Sequence, residues 1–346
     1  MLLRRRTVTI GLLGAAALRQ APALAQATDE QSLYEAAKKE GRITWYSGLL
    51  TQPICDQIAS AFTQKYPGIR VDATKTTSEV AFQRVMQDIN GGKVQADVFT
   101  TTDASHMSYL AGKGKLVKFT PENDKNIVDA ARSHFDSKGY YTVTHVLMVA
   151  LVYNTKKVKP EEAPKDWPDL ADPKWKNQVA FGSPNYSGLV ATWTVAMNEK
   201  LGWDYFDKLN KNNPLIGRSI DDGVAVLNSG EREVAICSPG TAFLSISRGN
   251  PLAVNYASSF TVVDFCPSAV LAGSPSPNAA KLFMEFLTSK EHADIMVKNF
   301  EQPLRADVQP PKGAKALSEL TLFMPTLDAL EKEIPVIKNK WRDTFS

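Results

Sequence analysis

Strand-like and helix-like segments alternate along most of this chain, and no other feature of the sequence constrains its fold as much. The strand-like run RITWYSG precedes a helical segment with Ile54, Ile58 and Phe62 on one face, and the strand-like run IRVDAT follows. The helix EVAFQRVMQDIN, the strand ADVFTT and the helix ASHMSYLAGKG continue the pattern. Alternation at these lengths predicts a parallel sheet with helices on both faces.

A second series of strands and helices, from VAFGS to TAFLSISRG, stands between two long β-rich runs. The runs YYTVTHVLMVALVYNT and AVNYASSFTVVDFCPSAVLAG are longer than ordinary strands, and we interpret each as a crossing between domains. A chain of 346 residues is also long for one hydrophobic core. The sequence therefore predicts an α/β protein of two doubly wound domains joined by two crossover hinge strands. We assign residues 28–148 and 268–346 to domain I, and residues 149–267 to domain II.

The first 27 residues form a segment of a different kind, which runs from Arg4, Arg5 and Arg6 through an apolar stretch into small residues. This order is typical of an export signal peptide. The apolar stretch from Val8 to Leu18 is about half of the roughly 20 residues that a membrane-spanning helix needs. We therefore expect an exported protein with a cleaved signal, and no lipid anchor because no Cys stands at the boundary. A twin-arginine signal and an ordinary secretory signal both fit.

Without that segment the chain is nearly neutral. The first 27 residues contain four arginines and no acid, so 36 Lys+Arg remain against 37 Asp+Glu. A near-neutral surface without clustered basic residues gives no basis for binding nucleic acid or an anionic membrane. We therefore expect neither as a partner.

Motifs for metal binding and catalysis are missing from the sequence. Cys55, Cys237 and Cys266 show no CxxC spacing, and no HxH, HExxH, GxSxG, GxxxxGK[ST] or strand-linked GxGxxG motif occurs. Cys237 and Cys266 end strand-like runs, so a disulfide between them stays open beside the favoured interpretation of buried small side chains. We expect no metal, no cofactor and no enzyme activity. A catalytic set assembled from distant loops would leave no local signature, which keeps an enzyme as an alternative.

Small hydroxyl residues and glycines fall repeatedly where predicted strands end and helices begin. Because the carboxyl ends of parallel strands meet at one edge of a sheet, we expect these residues to line a common cleft. Hydroxyls and the free N–H groups of helix N-termini can bind an anion, although the same residues also serve as caps and turns. The candidate ligand-binding residues are Ser47, Gly48, Thr77, Ser78, Thr102 and Asp103 in domain I, and Tyr186, Ser187, Gly188, Arg218, Ser238 and Thr241 in domain II.

Three of these candidates have specific alternative roles. Arg218 can hold an anion with two hydrogen bonds, or pair with the neighbouring acids at 221 and 222. Asp103 can accept a hydrogen bond from the solute, or cap the helix that follows it. Tyr186 can pack against the organic part of a solute.

Several stretches occur in an order that resembles a known family: LYEAAKKEGRITWYSG, AFTQKYPGIRV, QADVFTTTD, ALVYNT, DPKWKNQVAF, AVLNSGEREVAI and AAKLFMEFLTSKE. They resemble the periplasmic solute-binding proteins of ABC transporters, specifically the group that contains the ferric-iron-binding proteins. The resemblance implies the type II periplasmic binding fold, with a solute trapped between two domains by hinge closure. It also implies a location in the periplasm and delivery of the solute to an ABC permease in the inner membrane.

The resemblance implies positions for an iron centre, and this chain lacks the expected ligands there. Leu50 stands where an iron binder has its His, and Thr102 stands where it has its Glu, with Asp103 one place further on. The paired tyrosines correspond to Gly240 and Thr241. Ferric iron needs anionic oxygen ligands, so we expect no iron bound by the protein.

The anion-binding part of the family's site is matched by the Ser187–Gly188 pair at a helix N-terminus. We therefore expect a monomeric receptor for a small anionic organic solute, such as a phosphate ester, a phosphonate or a carboxylate. The alternative is a ferric-iron-binding protein that uses a synergistic anion, with Tyr186 near the cleft. An enzyme on the same fold ranks below both.

Overall fold

Two β-sheets organise the structure, a computed structural model that describes residues 30–345. The predicted export signal, residues 1–27, lies outside the described residues. The strands of the first sheet are β1 (Arg42–Ser47), β2 (Arg70–Lys75), β3 (Val98–Thr100), β4 (Thr142–Met148), β10 (Thr261–Val270) and β11 (Leu322–Phe323). The strands of the second are β5 (Ala150–Asn154), β6 (Val179–Phe181), β7 (Leu215–Ile216), β8 (Val234–Cys237) and β9 (Leu252–Asn255).

Helices follow the strands in both parts of the chain. Those that surround the first sheet are α1 (Glu30–Glu40), α2 (Gln52–Lys65), α3 (Ser78–Asn90), α4 (Ala104–Gly112), α5 (Asp129–Arg132), α10 (Pro277–Leu287) and α11 (Lys290–Lys298). Those beside the second are α6 (Gly188–Leu201), α7 (Asp204–Lys211), α8 (Asp222–Ser229) and α9 (Pro239–Ser247). The last helix, α12 (Leu327–Thr344), ends the described chain. We call the first sheet with its helices lobe 1 and the second sheet with its helices lobe 2.

Parallel strands form the centre of each sheet. In lobe 1, β1 pairs in parallel with both β2 and β3, and β10 joins β3 in antiparallel orientation. In lobe 2, β6 pairs in parallel with β7 and β8, while β5 is antiparallel to β8 and β9. The carboxyl ends of the parallel strands therefore lead into the loops that carry most of the predicted site. The predicted α/β class with two sheets is confirmed.

Two connections carry the chain between the sheets. The strand β4 ends in lobe 1 at Met148, and β5 begins in lobe 2 at Ala150 after one intervening residue. The return runs from β9 in lobe 2 to β10 in lobe 1, through residues 256–260. Because β10 pairs with β3, β4 and β11 among the strands of residues 30–345, the sequence-based domain limit at residue 267 falls inside a lobe 1 strand.

The helix α12 connects the cores of both lobes, although the sequence assigns its residues to domain I. Its Leu330 and Ile337 side chains pack in the cluster that contains Phe265 of β10. Trp341, one turn further on, packs in the core of lobe 2. Trp203 fixes that end of the helix, because its Nε1 donates a hydrogen bond of 3.0 Å to the Thr344 hydroxyl.

The three cysteines Cys55, Cys237 and Cys266 are all buried and free, so the disulfide left open by the sequence is not formed. Burial raises the pKa of the thiols of Cys237 and Cys266 well above the usual value.

Among residues 30–345, no helix combines the length and the apolar character that crossing a membrane requires.

Candidate functional site

Three loops of lobe 1 are joined by one serine at the N-terminus of α3. The Ser78 hydroxyl donates to the Gly48 carbonyl (3.1 Å) and accepts from the Thr102 backbone N–H (2.9 Å). It also lies 2.9 Å from the Thr102 hydroxyl. A Cβ at Gly48 would come within 2.6 Å of Ser78 Oγ and 3.0 Å of the Thr100 carbonyl oxygen, so glycine is required there. We call Gly48, Ser78 and Thr102 the hydroxyl cluster, and its donors and acceptors largely satisfy one another.

Two of the other three predicted residues of lobe 1 have local structural partners. Ser47, the third, is fully buried near the Cys55 thiol, and its hydroxyl has no hydrogen-bond partner among the described residues. Thr77 is exposed and caps α3 by accepting from the Val80 N–H at 3.3 Å. Asp103 caps α4 by accepting from the Ser105 N–H at 2.9 Å. The capping alternative for Asp103 is thus realised in the structure.

The helix α6 begins at an open N-terminus in lobe 2. Ser187 caps it by accepting from the Val190 N–H at 3.4 Å, and Gly188 is exposed with no atom within 4 Å of an added Cβ. Free N–H groups at such a position favour an anion. The predicted pair therefore presents an accessible helix N-terminus.

Arg218 and Tyr186 lie together near this helix end. The guanidinium carbon is 4.7 Å from the centroid of the Tyr186 ring, and that ring is 67% exposed. Asp222 accepts hydrogen bonds from the backbone N–H groups of Arg218 (2.7 Å) and Ser219 (2.9 Å). The Arg218 side chain is thus stacked on an aromatic ring, where the sequence left open an ion pair with a neighbouring acid.

The N-terminus of α9 faces a carboxyl group of the same chain. The side chain of Asp221, which precedes α8, lies near the Thr241 hydroxyl and the Ser238 backbone N–H. Burial raises the pKa of Asp221 and the charge of Asp222 adds to this, while these two neighbouring groups lower it; the net pKa is raised. One carboxylate oxygen, Oδ1, is buried with no hydrogen-bond partner among the described residues. The predicted residues Ser238 and Thr241 therefore lie beside a negative group.

Sequence reasoning missed two further buried acids. Glu301 follows α11, and its Oε2 lies 3.1 Å from the position of a Cβ on Gly240, at this helix end. Asp264 lies in β10, on the side of Asp103, is 2% exposed, and has an Oδ1 with no hydrogen-bond partner among the described residues. An acid within the apolar run TVVDFC is the one sequence signal that points to Asp264. We call the three acids Asp221, Glu301 and Asp264 the acidic trio, of which Asp221 and Glu301 lie at the α9 end.

Burial perturbs the titration of both of these acids. Burial, and secondarily the charge of Asp221, raises the pKa of Glu301 to about 7. Burial, and secondarily the charge of Asp103, raises the pKa of Asp264 to about 8. Within residues 30–345, no group of three or more His, Cys, Asp or Glu side chains has an arrangement that could hold a metal ion.

A family model matches most of the chain. The model of the bacterial extracellular solute-binding protein family matches residues 94–333. A relative from Salmonella paratyphi A, described as "Putative 2-aminoethylphosphonate-binding periplasmic protein", is 25% identical over 303 residues, which cover 81% of this chain and 84% of the relative.

Solved structures share the fold at low sequence identity. Iron-bound HitA from Pseudomonas aeruginosa superposes with a TM-score of 0.73 at 24% identity, covering 88% of this chain and 99% of HitA. AfuA from Actinobacillus pleuropneumoniae, with exogenous fructose-6-phosphate bound, gives a TM-score of 0.73 at 24% identity, covering 88% of this chain and 98% of AfuA. AfuA is a periplasmic binding protein, and the likeness to both structures shows the fold.

Proposed function

Because this chain belongs to the bacterial extracellular solute-binding proteins, we propose that it is an exported receptor for one small anionic organic solute, bound between lobe 1 and lobe 2. The segment 1–27 acts as a cleaved export signal, and the mature protein works as a monomer in the periplasm without a lipid anchor. It delivers the solute to an ABC permease in the inner membrane. Lobe 1 and lobe 2 serve as the two domains, and the connections after Met148 and through residues 256–260 serve as the hinge.

The observation that carries this proposal is the open N-terminus of α6 beside Arg218. Gly188 leaves space for a solute, Ser187 caps the helix, and the guanidinium nearby supplies a positive charge. Phosphate, phosphonate and carboxylate groups all match these donors, because each offers oxygens to N–H groups and to a planar guanidinium. From lobe 1, the exposed Thr77 and the half-buried Thr102 add hydroxyls.

Binding operates through closure of the two lobes, with no bond of the solute broken. A solute that contacts both lobes binds the closed state more tightly than the open state and shifts the population toward it. The closed surface then signals occupancy to the permease. We infer no catalytic role for any residue.

The similar proteins include binders of organic anions and several binders of iron. The Salmonella relative is described as a phosphonate binder, AfuA holds a sugar phosphate, and HitA holds iron. In this chain, Gly240 and Thr241 stand where the resemblance requires tyrosines, so phenolate ligands for iron are missing at that place. This difference favours the organic anion over ferric iron.

Calorimetry on the mature protein tests the proposal, with fructose-6-phosphate, 2-aminoethylphosphonate, inorganic phosphate and ferric citrate as probes. We expect one organic anion to bind and to stabilise the protein, by about 2.7 kcal/mol at a concentration of 100 Kd. Arg218→Gln and Ser187→Trp should each weaken that binding at least tenfold. Arg248→Gln, which removes an equally exposed arginine after α9, is the matched control and should leave affinity unchanged.

Other outcomes would replace this proposal with one of its alternatives. A coloured ferric complex, with no organic anion bound, would identify an iron carrier. Conversion of fructose-6-phosphate into a product during the titration would identify an enzyme. Equal effects of Arg218→Gln and Arg248→Gln would remove the α6 end from the site.

A further inference from the structure

A groove of about 340 Å³ opens on lobe 1 beside α3, and none of the residues that line it belongs to the predicted solute site. The lining residues that matter here are Arg42, Thr44 and Tyr46 on β1, Thr74 on β2, Arg84 on α3 and Lys93 before β3. We call this the basic groove. Its three cations are far apart in the sequence, and the fold brings them to one place.

The floor of the basic groove is a polar face of two paired parallel strands. Along β1, Ile43 and Trp45 are fully buried, whereas Thr44 and Tyr46 point to the opposite face and are half-buried. Tyr46 stands beside Thr74 in the register of β1 and β2. Parallel strands are usually covered on both faces, and here one face is left open with hydroxyls on it. Within residues 30–345, no hydrogen bond occupies those three hydroxyls.

Two cations at the rim of the basic groove have no acidic partner. Within the described chain, neither Arg84 nor Lys93 belongs to an ion pair. Arg42 pairs with Asp72 at 2.6 Å, and Asp72 also pairs with Arg70 at 3.0 Å. One carboxylate is thus shared by two guanidinium groups, and the rim keeps an excess of positive charge.

The other two acids close to the groove are held by donors of their own. Asp97 is 2% exposed and accepts from the backbone N–H groups of Thr44 (2.7 Å) and Ser276 (2.9 Å). Asp88 accepts from the backbone N–H and the side-chain amide of Gln95, both at 3.2 Å. Neither carboxylate forms an ion pair with the two unpaired cations, which therefore remain available to an anion.

This combination of groups matches a phosphate monoester. A guanidinium can donate two parallel hydrogen bonds to phosphate oxygens, and an ammonium adds a compact positive charge. A phosphate monoester carries between one and two negative charges at neutral pH, which two cations can balance. Hydroxyls on the floor both donate and accept, so they suit the hydroxyl groups of an organic part. Small-molecule sites span roughly 300–1,000 Å³, and a recessed floor favours such a ligand over a flat membrane surface.

We propose that the basic groove is a second ligand site, separate from the cleft between the lobes, and that it binds a soluble phosphate monoester with a hydroxylated organic part. Arg84 and Lys93 bind the phosphate. The hydroxyls of Thr44, Tyr46 and Thr74 bind the organic part. The site shares no residue with the proposed solute site, so it stands or falls on its own.

Calorimetry with glycerol-3-phosphate and fructose-6-phosphate tests this proposal, on the mature native protein and on Ser187→Trp, in which the proposed cleft site is blocked. We expect Ser187→Trp to bind at least one ester with a stoichiometry of one. In that background, Arg84→Gln and Lys93→Gln should each weaken binding at least fivefold, and Arg84→Lys should weaken it less than Arg84→Gln. Lys39→Gln removes an exposed cation of α1 in the same lobe and is the matched control, which should keep the affinity.

The outcomes separate this proposal from the proposed function. Binding to the native protein that Ser187→Trp abolishes would overturn the groove site and leave the cleft receptor standing. One site of equal affinity in the native protein and in Ser187→Trp, weakened by Arg84→Gln, would keep the groove and remove phosphate esters from the cleft.

Three further results would also overturn the groove site. The first is an equal loss in Lys39→Gln and Lys93→Gln, and the second is no binding of either ester to either protein. The third is binding to phosphatidylglycerol vesicles that depends on Arg84 while neither ester binds. Because Arg84 and Lys93 are both exposed, their variants should keep the native melting temperature, and either variant decides if the other is unfolded.

Discussion

The hydroxyl cluster of lobe 1 and the acidic trio contrast two ways of placing polar groups in the fold. In the hydroxyl cluster, Ser78 bonds to Gly48 and Thr102, and few donors or acceptors are left over. In the acidic trio, Asp221 and Asp264 each keep a buried oxygen without a partner. The first set is complete in the empty protein, and the second is not.

This difference separates polar groups that stabilise the fold from polar groups that lower its stability. A satisfied intramolecular hydrogen bond contributes about 1 kcal/mol to folding, whereas a buried group without a partner costs roughly 1–3 kcal/mol. The hydroxyl cluster should therefore stabilise the empty protein. The unpaired oxygens of the acidic trio should lower its stability.

The largest expected effect is the loss of stability in Gly48→Ala. The added Cβ would lie 2.8 Å from the Ser78 Cα and 3.0 Å from the Thr100 carbonyl oxygen, and neither backbone atom can move without opening the cluster. We expect a loss of about 3 kcal/mol in the free energy of unfolding, measured by urea titration. Gly188→Ala is the matched control, because its Cβ meets nothing within 4 Å, and it should leave stability unchanged or raise it slightly. Equal stability of the two variants would show that the hydroxyl cluster around Gly48 tolerates a Cβ as well as the open position at Gly188 does.

The next effect is a pH-dependent gain of stability in Asp264→Asn. The pKa of Asp264 is raised in the folded protein to about 8, from the ordinary value of 3.8, so folding favours the protonated form. This contribution is fully present below pH 4 and is lost as the pH rises through about 8. Asn does not ionise, and the variant should therefore gain stability relative to the native protein as the pH rises from 4 to 8.

Urea titrations at pH 4, 6 and 8 measure this gain, with Glu162→Gln as the control for loss of a surface charge. The Glu301→Gln variant should show the same trend with a lower midpoint, because the pKa of Glu301 is raised to about 7. If the stability of the native protein and that of Asp264→Asn changed in parallel with pH, folding would not raise the pKa of Asp264, and this prediction would be wrong.

The structure shows which parts of this contrast the sequence can predict. The sequence predicts helix caps well. Asp103 caps α4 and Ser187 caps α6, as expected for an Asp or Ser that directly precedes a helical segment. Each of these contacts spans only two or three residues, so short-range pattern is sufficient. The alternation of strands and helices likewise predicts the two α/β sheets.

The acidic trio could not be predicted because its members come from distant parts of the chain. Residues 221 and 301, in the loop before α8 and after α11, both approach the N-terminus of α9, whereas residue 264 lies within β10. The stacking of Arg218 on Tyr186 joins residues 32 positions apart and has no local signal either. The sequence shows that a loop residue such as Ser238 stands at the start of a helix. It does not show which carboxyl group lies near that residue.

The smallest expected effect is the change in stability and affinity caused by Tyr186→Ala in lobe 2. Its ring is 67% exposed and touches the Arg218 guanidinium, so Tyr186→Ala removes a cation–π contact without opening the core. Such contacts at exposed sites contribute about 0.5–1 kcal/mol, and the stability of the empty protein should change by no more than this. Affinity for the organic anion should fall about threefold, because the loss leaves Arg218 free to adopt other rotamers, whereas Tyr186→Phe should retain the affinity. A loss of affinity in Tyr186→Phe equal to that in Tyr186→Ala would show that the phenol hydroxyl, and not the ring face, contacts the solute.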